Sequence, residues 1–306
     1  MDKIRESILT TSKASKIERK GKLISLLCLS GICLIVVAIF SFIAYRGLAT
    51  FTSDHVSLGK FLTGTQWNPE VVKDGHPLVG ALPMIVGSFL ITILATALAI
   101  PFAIGTALMM TDITPKTGTR ILQPVLELLV GIPSVVYGFV GLTVVVPAIR
   151  TVFGGSGFGI LAGTFVLFVM VLPTITSMTV DSLGSVPKSY RSASLALGAT
   201  RWQTIYKVVL RSATPGILTA IVFGMARAFG EALAVQMVVG NATLLPTSLV
   251  APAATLTSVL TTGIGNTVLG TVQNDALWSL ALILLLMSLA FNLAIHLIAK
   301  RGSMKL

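Results

Sequence analysis

Charge is what this chain has least of: only 11% of its 306 residues are Asp, Glu, Lys or Arg, while 54% are apolar. Soluble domains carry about a quarter charged residues, so a mean hydropathy of +0.92 excludes a pair of water-facing domains although the length would allow them. Cysteine is scarce too. Its two residues, Cys28 and Cys33, fall in one apolar run and read as small hydrophobes, with no disulfide framework and no metal site. The three histidines are equally unproductive, because His55 and His76 match no ligand spacing and Trp67 and Pro69 between them suggest packing, while His296 reads as an interfacial or packed side chain. There is no Walker A loop, no HExxH, and no Rossmann fingerprint, since GGSGFG at 154–159 has the wrong glycine spacing. The chain is therefore expected not to be an enzyme and to hold no cofactor itself. Asp181 and Asp275 stand only at span ends, which argues against the paired aspartates of an intramembrane protease.

What the chain has instead is long apolar runs. A helix needs about 20 mainly apolar residues to cross a bilayer, and six runs qualify, near 23–45, 81–110, 121–149, 158–180, 216–239 and 276–299. The expected class is an all-α polytopic membrane protein with six transmembrane helices. The first run is longer than a signal h-region and lacks a small-residue cleavage site before Tyr45, so it reads as an uncleaved anchor. Lys and Arg set the orientation. With both termini cytoplasmic, 17 of the 22 basic residues fall inside: in the tail up to Lys22, at Lys116 and Arg120, between Lys188 and Arg211, and from Lys300 to Lys305. Outside are Arg46, Lys60, Lys73 and Arg150, and the loop 240–275 has no basic residue. The net charge of +11 is thus a topology signal that needs no nucleic acid. The outer segment 50–78 reads as a small loop or hairpin. In 241–275, Leu256, Val259, Leu260 and Ile264 suit a short helix on the outer membrane surface that a partner could use.

Between Pro187 and Pro215 the apolar pattern is interrupted by KSYRSASLALGATRWQTIYKVVLRSAT. Pro187 can start a short helix, Gly198 and Thr200 can end it, and a second run places Trp202, Ile205, Val208 and Val209 on one apolar stripe. Two short amphipathic helices meeting near Gly198 could lie on anionic lipid or contact a partner. The stretch resembles the EAA loop of ABC importer permeases. Ala193, Gly198 and Leu210 match, Val208 is conservative, and Ser192, Ser194 and Arg211 depart from Glu, Ala and Pro. The resemblance implies that Ser192, Ala193, Ser194, Leu195, Ala196, Leu197, Gly198, Ala199 and Thr200 couple to an ATP-binding subunit. The missing glutamate at Ser192 would remove one polar contact to it.

Arg227 and Glu231 stand four residues apart in FGMARAFGEALAV, which on a continuous helix puts them on one face. A charge at this depth is costly. An intrahelical ion pair, a pair with a neighbouring subunit, and an oxyanion site on the guanidinium fork are all open. Glu127, about 9 Å into the third run at 1.5 Å per residue, suits interface pairing. In GIPSVVYGF, Pro133 marks a kink, and Ser134 and Tyr137 offer hydroxyls to a pathway.

GIPSVVYGF, ARAFGEALAVQMVVGN and FLTGTQWNP together resemble the PstC-type permeases of bacterial phosphate ABC importers over roughly residues 20–300. The resemblance implies the type I importer permease fold, with a cytoplasmic tail at 1–22, a first helix at 23–46, an outer loop at 47–80, a permease domain at 81–300 containing the hairpin 187–215, and a final tail at 301–306. It also implies Arg227 and Glu231 as substrate-pathway residues, and as partners a PstA-like permease, a dimer of ATP-binding subunits that hold ATP and Mg, and an extracytoplasmic phosphate-binding protein. An importer of molybdate or sulfate, a gradient-driven transporter, and a sensor or scaffold without flux are the alternatives.

Overall fold

A computed structural model describes residues 13–73 and 76–303. Most of the basic tail, Asp74, Gly75 and the last three residues, and the side chains of His76 and His296, lie outside the described residues. The chain divides into two units, 1–46 and 47–306. The first is helix α1 (Lys13–Gly47), 35 residues long and so well beyond the length of a membrane crossing. Apolar side chains surround it from Leu23 to Phe42, as contact with lipid demands.

The second unit opens on its outer side with α2 (Ala49–Thr52), α3 (Leu58–Thr63), and the strands β1 (Trp67–Lys73) and β2 (His76–Val79). The strands pair antiparallel, Trp67 opposite Val79 and Asn68 opposite Leu78, with an irregularity before Val72. Of the loop or hairpin expected of the outer segment, the chain forms the hairpin. Its anchor is Phe61, fully buried and edge-on to both Phe51 and Trp67 at centroid distances of 5.4 and 6.5 Å.

The membrane part is built on α4 (Leu82–Leu108) and α8 (Ile160–Gly184), which lie against each other for much of their length. Ala95, Ala99 and Ala103 recur at helical spacing on α4 and meet Leu167, Val171 and Ile175 of α8. Small residues let helices approach closely in lipid, where dispersion contacts replace the hydrophobic drive of water. Helix α11 (Leu210–Phe229) adds Ala220 and Ala228 to this core, and α14 (Val272–Ser303) packs on α11. Among the described residues six helices are long and apolar enough to cross a membrane, so the all-α, six-span expectation stands.

Four local expectations change. The third span does not run from Ile121 to Ile149. Helix α5 (Pro115–Gly131) ends where Ile132 and Pro133 turn extended, because a proline disfavours the helical region for the residue before it. The crossing helix starts at Ser134 and continues through α6 (Ser134–Val140), a π turn at Gly141–Val145 and α7 (Val146–Phe153) to Phe153. Glu127 therefore belongs to α5 and not to the span.

The coupling hairpin is also not two short helices. After α9 (Lys188–Ala196), the second arm begins as α10 (Arg201–Thr204), passes a π turn at Ile205–Val209 and runs unbroken into α11, with Pro215 inside the helix. Its buried stripe is Thr204, Ile205 and Val209, while Trp202 is exposed.

The fifth span, expected as one helix to Val239, stops at Phe229. It resumes as α12 (Leu233–Val239) after the non-helical Glu231 and Ala232.

The outer helix α13 (Leu256–Gly263) does not present its apolar face to a partner. Leu256 and Val259 are buried in a core with Met84, Ala276 and Leu280, and the Leu256 amide donates to the Ser88 hydroxyl of α4 at 2.9 Å.

Candidate functional site

Arg227 lies in the last turn of α11. Its position follows from the glycine one turn earlier: a Cβ on Gly224 would stand 2.5 Å from Ile175 Cγ1, so only glycine lets α11 lie this close to α8. That approach brings the guanidinium to Thr174 of α8, whose hydroxyl oxygen accepts from Nη1. Arg227 is also close enough to Tyr137 for its charge to act on the phenol. Tyr137 itself donates to the Leu129 carbonyl at 2.7 Å. Leu129 is in the final turn of α5, where carbonyls have no partner within the helix, so the phenol closes the gap between α5 and α6. Ser134 is half-buried in the first turn of α6.

The helix break separates Glu231 from Arg227. Gly230, a weak helix former, ends α11, and the Glu231 carboxylate then turns onward to accept the Ala234 amide of α12 at 3.3 Å. The Glu231 carbonyl accepts the Thr257 hydroxyl of α13 at 2.8 Å. Both polar ends of the residue are thus engaged away from Arg227, and the expected shared helical face does not exist. Glu231 instead lines a cavity of about 10 Å³ with Ser88, Thr92, Thr255 and Thr257. That volume holds about one water.

A larger cleft of about 200 Å³ lies between α5 and α8, lined by Pro173 and Ser177 of α8 with Gln123 and Glu127 of α5. Glu127 accepts from Gln123 Nε2 at 2.8 Å. Thr174 was not expected in the site, nor Ser177 and Gln123 in the cleft. Each is an ordinary polar residue in an apolar or amphipathic helix, and only Pro173 beside Thr174 signals local irregularity in the sequence.

At the hairpin, Gly198 has φ +83, the left-handed region that glycine enters without strain, and an added Cβ would meet nothing. Glycine is needed there for conformation and not for space. Thr200 then caps the second arm reciprocally with Gln203. Leu197 at the tip is 89% exposed. Ser194, where the EAA pattern has alanine, is hydrogen-bonded to Thr204 at 2.9 Å and ties the two arms together. Ser192 is exposed and donates to the Lys188 carbonyl at 3.2 Å. Ala193, Leu195 and Ala196 are exposed along α9, while Ala199 is half-buried.

Six candidate crossing helices among the described residues, a protruding glycine-turned hairpin, and an exposed guanidinium held between two of the crossing helices define a multi-pass membrane permease. Residues 99–303 match the family model described as binding-protein-dependent transport system inner membrane component. The chain belongs to that family of ABC importer permeases, and so to the multi-pass proteins of the inner membrane. It is 51% identical to the "Probable ABC transporter permease protein YqgH" of Bacillus subtilis, over 93% of this chain and 91% of that protein. It is 30% identical to the "Phosphate transport system permease protein PstC" of Mesorhizobium japonicum, over 98% and 94%. The fold is that of a chain in a bacterial ABC transporter for import of the acidic polysaccharide alginate, with a TM-score of 0.63 at 15% identity over 95% of this chain and 99% of that one. Inward-facing MetNI methionine transporter chains give a TM-score of 0.53 at 21% identity, over 72% and 94%.

Proposed function

We propose that this chain is the PstC-type subunit of an ATP-driven importer of inorganic phosphate, and that Arg227 is the oxyanion contact on its pathway. The observation that carries this reading is the state of Arg227: at membrane depth its guanidinium is held by a neutral hydroxyl, not by the carboxylate four residues away. A cation on a crossing helix, exposed on the surface of this chain and left with most of its five donors, is a counter-charge for a mobile anion. A tetrahedral oxyanion can take two of those donors at once. Similarity to PstC proteins over nearly the whole chain supports phosphate as the cargo.

In this reading a PstA-like permease completes the pathway, and an extracytoplasmic binding protein delivers phosphate from outside. Two ATP-binding subunits, holding ATP and Mg, grip the hairpins from Ser192 to Thr200 on the cytoplasmic side, where both termini also lie. The exposed Leu197 is the apolar tip that such a groove would bury. ATP-driven closure of those subunits moves the hairpins, and the unbroken arm from Arg201 to Phe229 carries the displacement toward Arg227.

The test is uptake of labelled phosphate by vesicles containing the assembled complex. Arg227→Ala should abolish uptake while the subunits still co-purify. Uptake equal to wild type would overturn the assignment of Arg227. Competition by molybdate and sulfate identifies the cargo: if either displaces phosphate at lower concentration than phosphate itself, the chain serves that oxyanion instead.

A further inference from the structure

The hairpin is attached to the membrane bundle by a contact that no motif contains. Arg191, in the middle of α9, reaches Asp112, which lies 79 residues earlier in a π turn at Met109–Ile113 that ends α4. The Arg191 Nε stands 3.2 Å from Asp112 Oδ1, and the side chains are only 25% and 8% exposed. Nε is off the line a hydrogen bond needs, so that leg is a charge contact. Hydrogen bonds come from Nη2, which donates to Asp112 Oδ2 at 3.4 Å and to the Leu183 carbonyl in the last turn of α8 at 3.0 Å. Asp112 Oδ2 is further held by the Thr111 hydroxyl at 2.7 Å. One guanidinium therefore fastens α9 to the ends of both central helices.

The Asp112 segment leads onward. The Met110 carbonyl accepts the Thr119 hydroxyl of α5 at 3.0 Å. The far end of α5 is bound to Tyr137 through Leu129, and Tyr137 lies within reach of the charge on Arg227. A series of contacts thus runs from the hairpin along α5 to Tyr137, separate from the covalent route through α11. The π turn at Asp112 suits such a role, since π segments are local irregularities often found at functional positions.

We infer that Arg191 and Asp112 form the strut that transmits hairpin movement to the α4–α5 side of the pathway. They act as positioning residues that touch neither ATP nor substrate. Without the strut the hairpin would move with the ATP-binding subunits while α4 and α5 stayed behind, so ATP would be hydrolysed with little transport. A partly buried ion pair is a suitable mechanical link: Asp112 is nearly enclosed, so separating it from Arg191 would leave a buried charge without its counter-charge.

This inference rests on the importer reading, and the experiment separates the two. In the assembled complex, Asp112→Asn should leave ATP hydrolysis measurable while phosphate taken up per ATP falls about tenfold, the size of a typical coupling free energy. The exchanged pair Arg191→Asp with Asp112→Arg should recover much of that ratio, which a purely structural lesion would not. A second readout is independent of cargo: hydrogen exchange of the complex with and without a non-hydrolysable ATP analogue. Wild type should respond at both 190–200 and 109–113, and Asp112→Asn only at 190–200. An unchanged uptake-to-ATP ratio, or an equal response at 109–113 in the variant, would overturn the strut. Should wild type take up no phosphate, the cargo reading fails while the exchange comparison still decides the strut.

Discussion

The chain is interrupted twice between Leu197 and Ala232, at Leu197–Thr200 and at Gly230–Ala232, and the two interruptions are built in opposite ways. At the first, everything is local. Gly198 supplies the positive φ, Thr200 and Gln203 cap each other, and the apolar tip faces outward. At the second, the partners come from elsewhere. Thr257 takes the Glu231 carbonyl, Thr174 takes Arg227, and the cavity beside Glu231 is lined from α4, α8 and the outer loop as well. A turn made of its own residues can move as one piece against a partner. A break held by three other elements changes only when those elements shift, which is what a pathway gate requires. In the proposed mechanism, movement at the hairpin reaches the break through packed helices, by α11 directly and by the Arg191–Asp112 contact alongside.

Three substitutions test that contrast, beginning with the largest effect. Gly198→Val places a β-branched residue at positive φ, a strain of about 1–3 kcal/mol. It should weaken retention of the ATP-binding subunit in pull-downs and cut transport at least as strongly, while leaving the chain in the membrane. Full retention would show that the turn is not a self-contained unit. Thr174→Val keeps the shape and removes the hydroxyl held by Arg227. A hydrogen bond to a charged group contributes about 1.5–3 kcal/mol, so the guanidinium should lose its fixed position and the phosphate concentration for half-maximal uptake should rise several-fold, with ATPase assembly unaffected. An unchanged value would mean that Thr174 does not orient the site.

The smallest effect concerns stability at the outer end. Burial first, and then the neighbouring Asp275, raise the Asp54 carboxyl above its ordinary value, with His55 opposing. A raised carboxyl pKa makes the folded state hold the proton more tightly than the unfolded one, so stability falls as pH rises from the unfolded value through the folded one. Asp54→Asn should therefore raise the thermal midpoint slightly near neutral pH, and the gain should disappear as pH falls to the ordinary carboxylate range. A gain that persisted in acid would point to packing instead.

Much of this architecture was legible in the residues. Apolar run length located six crossings, the β-hairpin followed from turn and aromatic residues around Trp67, and Gly198 marked the hairpin because its role needs no distant atom. The errors have different causes. Helical periodicity implied a continuous fifth span with Arg227 facing Glu231, yet an apolar sequence such as 216–239 does not reveal that a neighbouring threonine will capture a backbone carbonyl. Pro133 suggested a kink where the chain in fact leaves the helix for two residues, because proline limits the residue before it as well as its own hydrogen bond.

By itself the sequence determined the membrane class, the number of candidate crossings and the place of the Gly198 turn, since each depends on hydropathy summed along the chain or on one residue's own dihedral preference. Only the tertiary structure decided that Arg227 is held by Thr174, that Glu231 serves the start of α12, and that Arg191 fastens the hairpin to Asp112. Those partners stand 53 and 79 residues apart in the first and last cases. They meet because small residues let particular helices come close, and which helices do so is settled by packing all of them at once.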